Sequence, residues 1–538
     1  MSRTRTALLS VYHKDGIIDF AKRLQGLGWK LLASGGTAKH LKDAGVEVTD
    51  VATLVGKPIL EHRVVTLSRE IHAGLLATDT PEQNKELAEN NIQRIDLVCV
   101  DLYPLVEEIK RNGSTVESVI EKTDIGGPTM LRSAAKGGRI VICDPADRIR
   151  VLEWLQSGEK EKDAFIEGLR AKAEFIVSEY CLASALCHGK GEYAGVLGTR
   201  SATCLYGENA WQGNTSLYSS NPDDPLAMQN FKLLEGTPPS YNNFADIDRL
   251  LQTITHIAAG LEVNGMKAKN PSIAVAVKHG NACGAAIGTN EADVLKNVIQ
   301  GDKRAIMGGV VMTNFPLTHE GAEILATFES ANGRRILDAV AAPEISPDAI
   351  ADLRRKKDKC RFLMNKALLQ LTEAALDRNP RFRYVRGGFL KQENYTFVLN
   401  LKNTAIINYS ASPLSQEKEA DIILAWGIGS TSTSNTITLV KNGMLLGNGV
   451  AQQDRVGAAQ LAIKRAKDSG HDLKNVVAYS DSFFPFDDAP RELINAGITA
   501  ILTTSGSVHD EDTIKLCKEK NISLLMIPDK LGRGFFGH

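Results

Sequence analysis

The sequence predicts an α/β protein whose first part folds round a doubly wound, mostly parallel sheet. Three observations predict it. Short apolar runs alternate with amphipathic helical periods between residues 6 and 143. Turns carrying Gly with Ser, Thr or Asp follow those runs, as they do where a parallel sheet presents polar groups at its strand ends. At 538 residues the chain also exceeds what one hydrophobic core holds.

Taken in order, residues 6–11 read as a strand. Residues 15–27 read as a helix with Ile17, Ile18, Phe20, Ala21 and Leu24 on its apolar side. Residues 30–33 form a second strand, after which Ser34-Gly35-Gly36-Thr37 opens a helix over 38–44 that Gly45 closes. Further buried strands are expected at 95–100 and 139–143. A charged stretch (158–163), a long helical pattern (164–187) and a Gly-rich segment (188–195) follow, which places a domain boundary near residue 193. The larger remainder, 194–538, again mixes strands and helices. Residues 351–375, rich in helix formers and in Lys and Arg, are expected to join two subdomains that divide near 365. No short-period repeat is visible, and sequence alone does not reveal a duplication.

Composition excludes several classes. Apolar residues make up 43% and charged residues 24%, the balance of an ordered globular chain. Lys plus Arg (63) almost equals Asp plus Glu (64), so total charge calls for neither nucleic acid nor an anionic membrane. Eight Cys occur without Cys-x-x-Cys or a zinc-type Cys/His spacing, so no metal site is expected, and Cys99, Cys143 and Cys283 read as buried thiols. The N-terminal apolar stretch is too short for a signal peptide, and no run approaches the roughly 18 residues of a membrane span. The expected setting is cytoplasmic.

The chemistry concentrates at strand ends. The apolar run Ile273-Ala274-Val275-Ala276-Val277 delivers Lys278 and His279 to a Gly-bounded turn. An imidazole there accepts a proton near neutral pH, and an ammonium assists a leaving group. Alone, the dipeptide is equally an ordinary polar strand end. Ser10-Val11-Tyr12-His13-Lys14 and Ser34-Gly35-Gly36-Thr37 read either as capped turns or as anion loops of backbone N–H groups and hydroxyls. They lack both a dinucleotide fingerprint and a Walker motif. Asp101, Tyr103 and Pro104 end a strand, and Asp124-Ile125-Gly126-Gly127-Pro128 precedes a helix that carries Lys136. Either Asp serves as well as a turn former or cap.

In this order the motifs resemble the bifunctional AICAR transformylase/IMP cyclohydrolase family of purine biosynthesis. The resemblance spans nearly the whole chain. It rests on Ala7-Leu8-Leu9-Ser10-Val11, Ser34-Gly35-Gly36-Thr37-Ala38, Asp101-Leu102-Tyr103-Pro104 and Asp124-Ile125-Gly126-Gly127. It continues through Tyr206-Gly207-Glu208-Asn209, Ser240-Tyr241-Asn242-Asn243, Lys278-His279, Ser434-Asn435, Gln452 with Arg455, residues 480–486 and the terminal Phe536-Gly537-His538. It implies a methylglyoxal-synthase-like first domain (1–193) that closes the purine ring. It also implies a transformylase (194–538) of two cytidine-deaminase-like subdomains without zinc, working as a homodimer on AICAR, formyl-AICAR and folate. The implied co-substrate is 10-formyltetrahydrofolate, with no tightly bound cofactor, nucleic acid or membrane. The implied catalytic residues are Lys278, His279, Asn435, Lys136, Tyr103 and Asp124. Implied for substrate binding are Ser10, Lys14, Ser34, Gly35, Gly36, Thr37, Arg63, Thr66, Tyr206, Gly207, Asn242, Gln452 and Arg455.

The chain departs from the family pattern at several points. Val65 stands where Arg-Val-Lys-Thr has its Lys, Leu205 and Gly534 stand where an Arg is usual, and Thr433 replaces a Lys. Lys136 is followed by Gly137-Gly138 instead of Asn-His. Arg69 or Arg533 is the expected source of a displaced charge. Two other readings share these residues: a formyltransferase with ring closure lost or a changed acceptor, and a non-catalytic nucleotide- or folate-binding paralogue.

Overall fold

The computed structural model describes residues 3–60, 63–266, 271–330, 333–410 and 412–537; His538 of the terminal motif lies outside them. The chain forms two compact units, Met1–Leu197 and Gly198–His538.

In the first unit five parallel strands, β1 (Thr6–Ser10), β2 (Lys30–Ala33), β3 (Thr49–Asp50), β4 (Leu97–Val100) and β5 (Ile140–Ile142), align in the order β3-β2-β1-β4-β5. Alternate side chains feed two apolar layers. Ala7, Leu9, Leu31, Cys99 and Ile142 pack with the helices Ile17–Gly26 and Asp147–Gln156; Leu8, Leu32, Val98 and Val141 pack with Arg69–Leu76 and Gly126–Lys136. Burial on both faces is why these strands read as unbroken apolar runs. The strand order reverses beside β1, and the crevice that such a reversal opens lies at the strands' carboxyl ends.

The second unit is built round one sheet of twelve strands with an internal repeat. In its first half the hairpin Ser272–Lys278/Asn281–Gly288 pairs antiparallel with Val310–Thr313; Ala339–Ala342 and Arg361–Met364 then add in parallel, and Lys232–Glu235 closes the edge antiparallel. The second half repeats this pattern. The hairpin Ile437–Lys441/Met444–Gly449 pairs with Val476–Ser480, then come Ile498–Ser505 and Ser523–Pro528 in parallel, then Ile407–Asn408 antiparallel. The halves join through Ala286 and Met444. Each hairpin follows a long helix, Tyr241–Val263 or Gln416–Gly429, and the two helices cross where glycines admit close approach. A Cβ on Gly260 would stand 2.8 Å from Ile423, and one on Gly427 would stand 2.7 Å from Ile257. Ile273, Val275 and Val277 face the layer of these helices, while Ala274 and Ala276 face the opposite layer.

One segment does not follow its local helix propensity. Residues 351–375 are not a helix: the helix Pro347–Leu353 ends, Arg361–Met364 is a strand, and only 3-10 turns follow. Helix propensity yields here to sheet pairing that buries Phe362 completely. The charges before the strand are taken up by Arg354–Glu235 and Arg355–Asp338 pairs rather than a helix face.

Candidate active sites

In the first unit the carboxyl ends of β1, β2 and β4 and the turn before the helix Gly126–Lys136 enclose a cavity of about 700 Å³. It brings together Ser10, Lys14, Ser34, Gly35, Gly36, Thr37, Arg63, Thr66, Tyr103 and Asp124. The hydroxyls of Ser10 and Ser34 lie 2.8 Å apart. Ser34, occupied with Ser10, makes no side-chain cap on the helix Gly35–Asp43, and with the Thr37 N–H bound to the Ser34 carbonyl, the N–H groups of Gly35 and Gly36 remain for an anion. Thr37 exchanges hydrogen bonds with the backbone of Val11, and Lys14 donates to Val11, Tyr12 and Thr37. Burial lowers the Lys14 pKa, against the pull of Asp101.

Two carboxylates have distinct duties. Asp101 is buried and holds both oxygens to Arg148, at 2.9 and 3.0 Å, while Arg148 also donates to the Asp15 carbonyl. It is a structural ion pair of the cavity floor. Asp124 accepts from the Gly127 N–H at 2.9 Å, and burial pushes its pKa up. The neighbouring glycines are required by proximity. A Cβ on Gly126 would stand 2.7 Å from the Thr66 hydroxyl, and one on Gly127 would run into the Asp124 carboxylate. Burial, then the Asp124 charge, raises the Tyr103 pKa.

Lys136 does not join this group. It is exposed in the last turn of the 11-residue helix whose Gly126, Gly127 and Met130 line the cavity, ten residues and about 15 Å along the axis from Gly126. Arg69 is likewise exposed, pairs with Glu70 and lies outside the cavity lining. Val65 lines the cavity and packs against the apolar layer beneath. Sequence reasoning missed Tyr12, which lines the cavity, and Lys122 and Tyr180, which hydrogen-bond to Tyr12 and Asp124 from behind the lining. Tyr12 carried a signal, an aromatic side chain in an anion loop, whereas Tyr180 lies mid-helix and shows none.

In the second unit Lys278, His279 and Gly280 form the tip of the first hairpin. His279 is exposed with φ 54, and Gly280 follows with φ 71, the left-handed pair of a tight hairpin turn. Asp246, on the helix Tyr241–Val263, accepts from the Gly280 N–H at 2.7 Å. The Lys278 ammonium donates to the Met307 carbonyl at 2.6 Å. Asn281 ties the tip to the Thr433 N–H at 3.0 Å, one residue before Ser434. Asn435 donates its amide to the Gln452 carbonyl at 2.8 Å and retains a second amide N–H.

Asn435 and Arg455 border a separate cavity of about 610 Å³, with Gln453, Phe483, Phe486 and Arg533. Arg455 is held there by the fully buried Asp481 and the Phe483 carbonyl. Arg533, paired with Asp529 at 2.8 Å, lines this cavity beside Gly534; a Cβ at Gly534 would run into the Tyr395 hydroxyl, which excludes an Arg there. Lys278 and His279 do not line this cavity, and neither do Gln452, Tyr206, Gly207 or Asn242. Gln452 turns its amide to the Val450 carbonyl. Tyr206 and Gly207 belong to a loop bound to the start of the helix Tyr241–Val263, where Asn242 donates to the Glu208 carbonyl at 3.1 Å. Within the motif Ser240-Tyr241-Asn242-Asn243, Ser240 and Asn243 form a capping box. Leu205 is half exposed. Among the described residues no His/Cys/Asp/Glu cluster could hold a metal, and no helix is long and apolar enough to cross a membrane.

The MGS-like domain family matches residues 16–129, and the AICARFT/IMPCHase bienzyme family matches 134–465. The bifunctional purine biosynthesis protein PurH of Anoxybacillus flavithermus is 34% identical over 537 residues, 97% of this chain and 98% of the relative. Its namesakes from Parvibaculum lavamentivorans (98% of this chain, 96% of the relative) and Caldicellulosiruptor saccharolyticus (97% and 98%) are also 34% identical. A solved structure titled "Crystal structure of ForH" is 36% identical, covering 35% of this chain and all of its own, with a TM-score of 0.32 that has no bearing on the fold. The chain, matched across both of its units and almost end to end, belongs to the AICARFT/IMPCHase bienzyme family.

Proposed function

We propose that the second unit transfers a formyl group from 10-formyltetrahydrofolate to the 5-amino group of AICAR, and that the first closes the formylated product to IMP. The observation that supports this most is the assembly, in one cavity of the first unit, of an anion cradle (Ser10, Ser34–Thr37), a carboxylate (Asp124) and a phenol (Tyr103). There the carboxamide nitrogen attacks the formyl carbon, Asp124 accepts the nitrogen's proton, and the former carbonyl oxygen leaves as water. In the second unit His279 takes the proton of the attacking amine, Lys278 assists the departing folate nitrogen, and Asn435 donates to the oxyanion. No metal or tightly bound cofactor enters this scheme. The reading includes a cytoplasmic setting, a domain division near residue 193 and a subdomain division near 365.

Lys278 and His279 stay outside the lining of the Asn435–Arg455 cavity although Asn281 ties their turn to its edge, which fits a site completed by a second copy of the chain. Co-purified Lys278→Ala and Arg455→Ala variants, each inactive alone, are then expected to regain formyl transfer on mixing. A fully active monomer by sedimentation would reject the shared site. Incubation of the wild type with AICAR and 10-formyltetrahydrofolate tests the activities themselves; neither folate release nor IMP formation would reject the reading.

A further inference from the structure

The first-unit cavity has Val65 where the family pattern has a Lys; Lys14 and Arg63 of its lining and Arg148 behind it are committed, and His188 lies exposed at its rim. Lys14 is spent on Val11, Tyr12 and Thr37; Arg63 pairs with Glu121 at 2.7 Å; Arg148 is bound to Asp101. Lys122 is different. Its ammonium lies 3.3 Å from the Tyr12 hydroxyl and 5.3 Å from the centre of that ring. The Tyr12 ring lies 5.4 Å from that of Tyr103, and Tyr12 lines the cavity. The loop is held from beneath by Tyr180, whose hydroxyl donates to the Lys122 carbonyl at 3.0 Å and accepts from the Asp124 N–H at 2.6 Å. One buried phenol thus fixes the carboxylate and the lysine together.

We propose that Lys122, acting through the Tyr12 hydroxyl, supplies the positive charge for ring closure in place of the lysine displaced by Val65; this rests on the cyclohydrolase reading above. As the carboxamide nitrogen bonds to the formyl carbon, the carbonyl π pair moves to oxygen. Tyr12 gives its proton to that oxygen, and Lys122 stabilises the phenolate left behind. Asp124 takes the nitrogen's proton. The C–O bond then breaks, the hydroxyl leaves as water with the proton held by Asp124, and Tyr12 recovers a proton from nitrogen as the C=N bond forms. Lys122 is a positioning residue here, since it touches Tyr12 rather than the reacting atoms.

The test uses the full chain with formylated AICAR as substrate and IMP formation as readout. Lys122→Met should lower closure about 10²-fold, the typical loss of one preorganised charge contact. Lys122→Arg should stay within a few-fold, and Tyr12→Phe should match Lys122→Met. Val65→Lys should restore most of the activity of Lys122→Met while adding less than a few-fold to the wild type, a rescue that a merely structural role of Lys122 would not give. Wild-type closure by Lys122→Met, failure of the rescue in a variant that unfolds at the wild-type temperature, or a tenfold gain from Val65→Lys alone would each overturn the proposal. Absence of ring closure in the wild type would instead overturn the cyclohydrolase reading, and the proposal with it.

Discussion

The two halves of the second unit carry equivalent hairpin tips with different chemistry. The first reads Lys278-His279-Gly280-Asn281, with φ 54 and 71 at its centre; the second reads Lys441-Asn442-Gly443-Met444, with φ 53 and 69. In each, a carboxylate at the sixth position of the preceding helix holds the turn. Asp246 accepts from Gly280, and Asp421 accepts from Gly443 at 2.6 Å and from Asn442 at 2.9 Å. The differences lie in the side chains. Asn442 is the residue a left-handed hairpin position favours, whereas His279 occupies the same backbone with a titratable ring. Lys441 lies 3.7 Å from the Asp472 carboxylate, whereas Lys278 meets a carbonyl that leaves its charge uncancelled. The fold explains the turn in both tips, and the Lys-His pair is what sets the first apart.

Breaking that contrast at His279 should have the largest effect. His279→Asn gives the first tip the second tip's residue, so the thermal midpoint should not move while formyl transfer falls about 10²–10⁴-fold. A variant that turns over normally would leave the two tips chemically equivalent. Next, Lys278→Met should lower transfer by roughly 10²-fold, while Lys441→Met should change stability by about 0–1 kcal/mol and leave transfer intact. Turnover and denaturant titration of both variants decide this. Asp246→Ala and Asp421→Ala should each cost about 1–3 kcal/mol of stability by stranding a backbone N–H. Only the first should slow transfer, by roughly tenfold, through misplacing the tip.

The smallest effect is on pH dependence. Burial raises the pKa of both Asp246 and Asp421, partly offset by their N–H partners. The folded state therefore holds these protons to higher pH than the unfolded chain. Their contribution favours folding below the ordinary value of 3.8 and is lost as pH rises through the window above it. Asp421→Asn should flatten the fall in stability over that window, measured by denaturant titration at a series of pH values; an unchanged slope would contradict it.

Much of this was legible in the sequence. The first unit's strands at 6–10, 30–33, 97–100 and 140–142 stand out because burial on both faces makes them unbroken apolar runs between Gly turns. The cavity lining was legible for the same reason, since strand-end residues such as Ser10 and Ser34 converge once the sheet is parallel. That Lys136 falls at the far end of its helix from this cavity was not legible, because a motif preserves sequence order but not the end of the helix on which a residue falls. The duplication was invisible because it resides in strand pairing, while the paired segments share little beyond Lys-x-Gly at the tips. The strand Arg361–Met364 was not legible within the helix formers of residues 351–375, because local helix propensity carries no information about an open sheet edge.

The central claim is that one chain carries two separable catalysts, with His279 serving the first reaction and Asp124 the second. The most direct measurement follows folate release from 10-formyltetrahydrofolate with AICAR, and IMP formation from added formylated AICAR, in His279→Asn and Asp124→Asn. The account predicts that His279→Asn loses folate release yet closes the ring at the wild-type rate, and that Asp124→Asn does the reverse. Parallel loss of both reactions in either variant, or of neither, would contradict it.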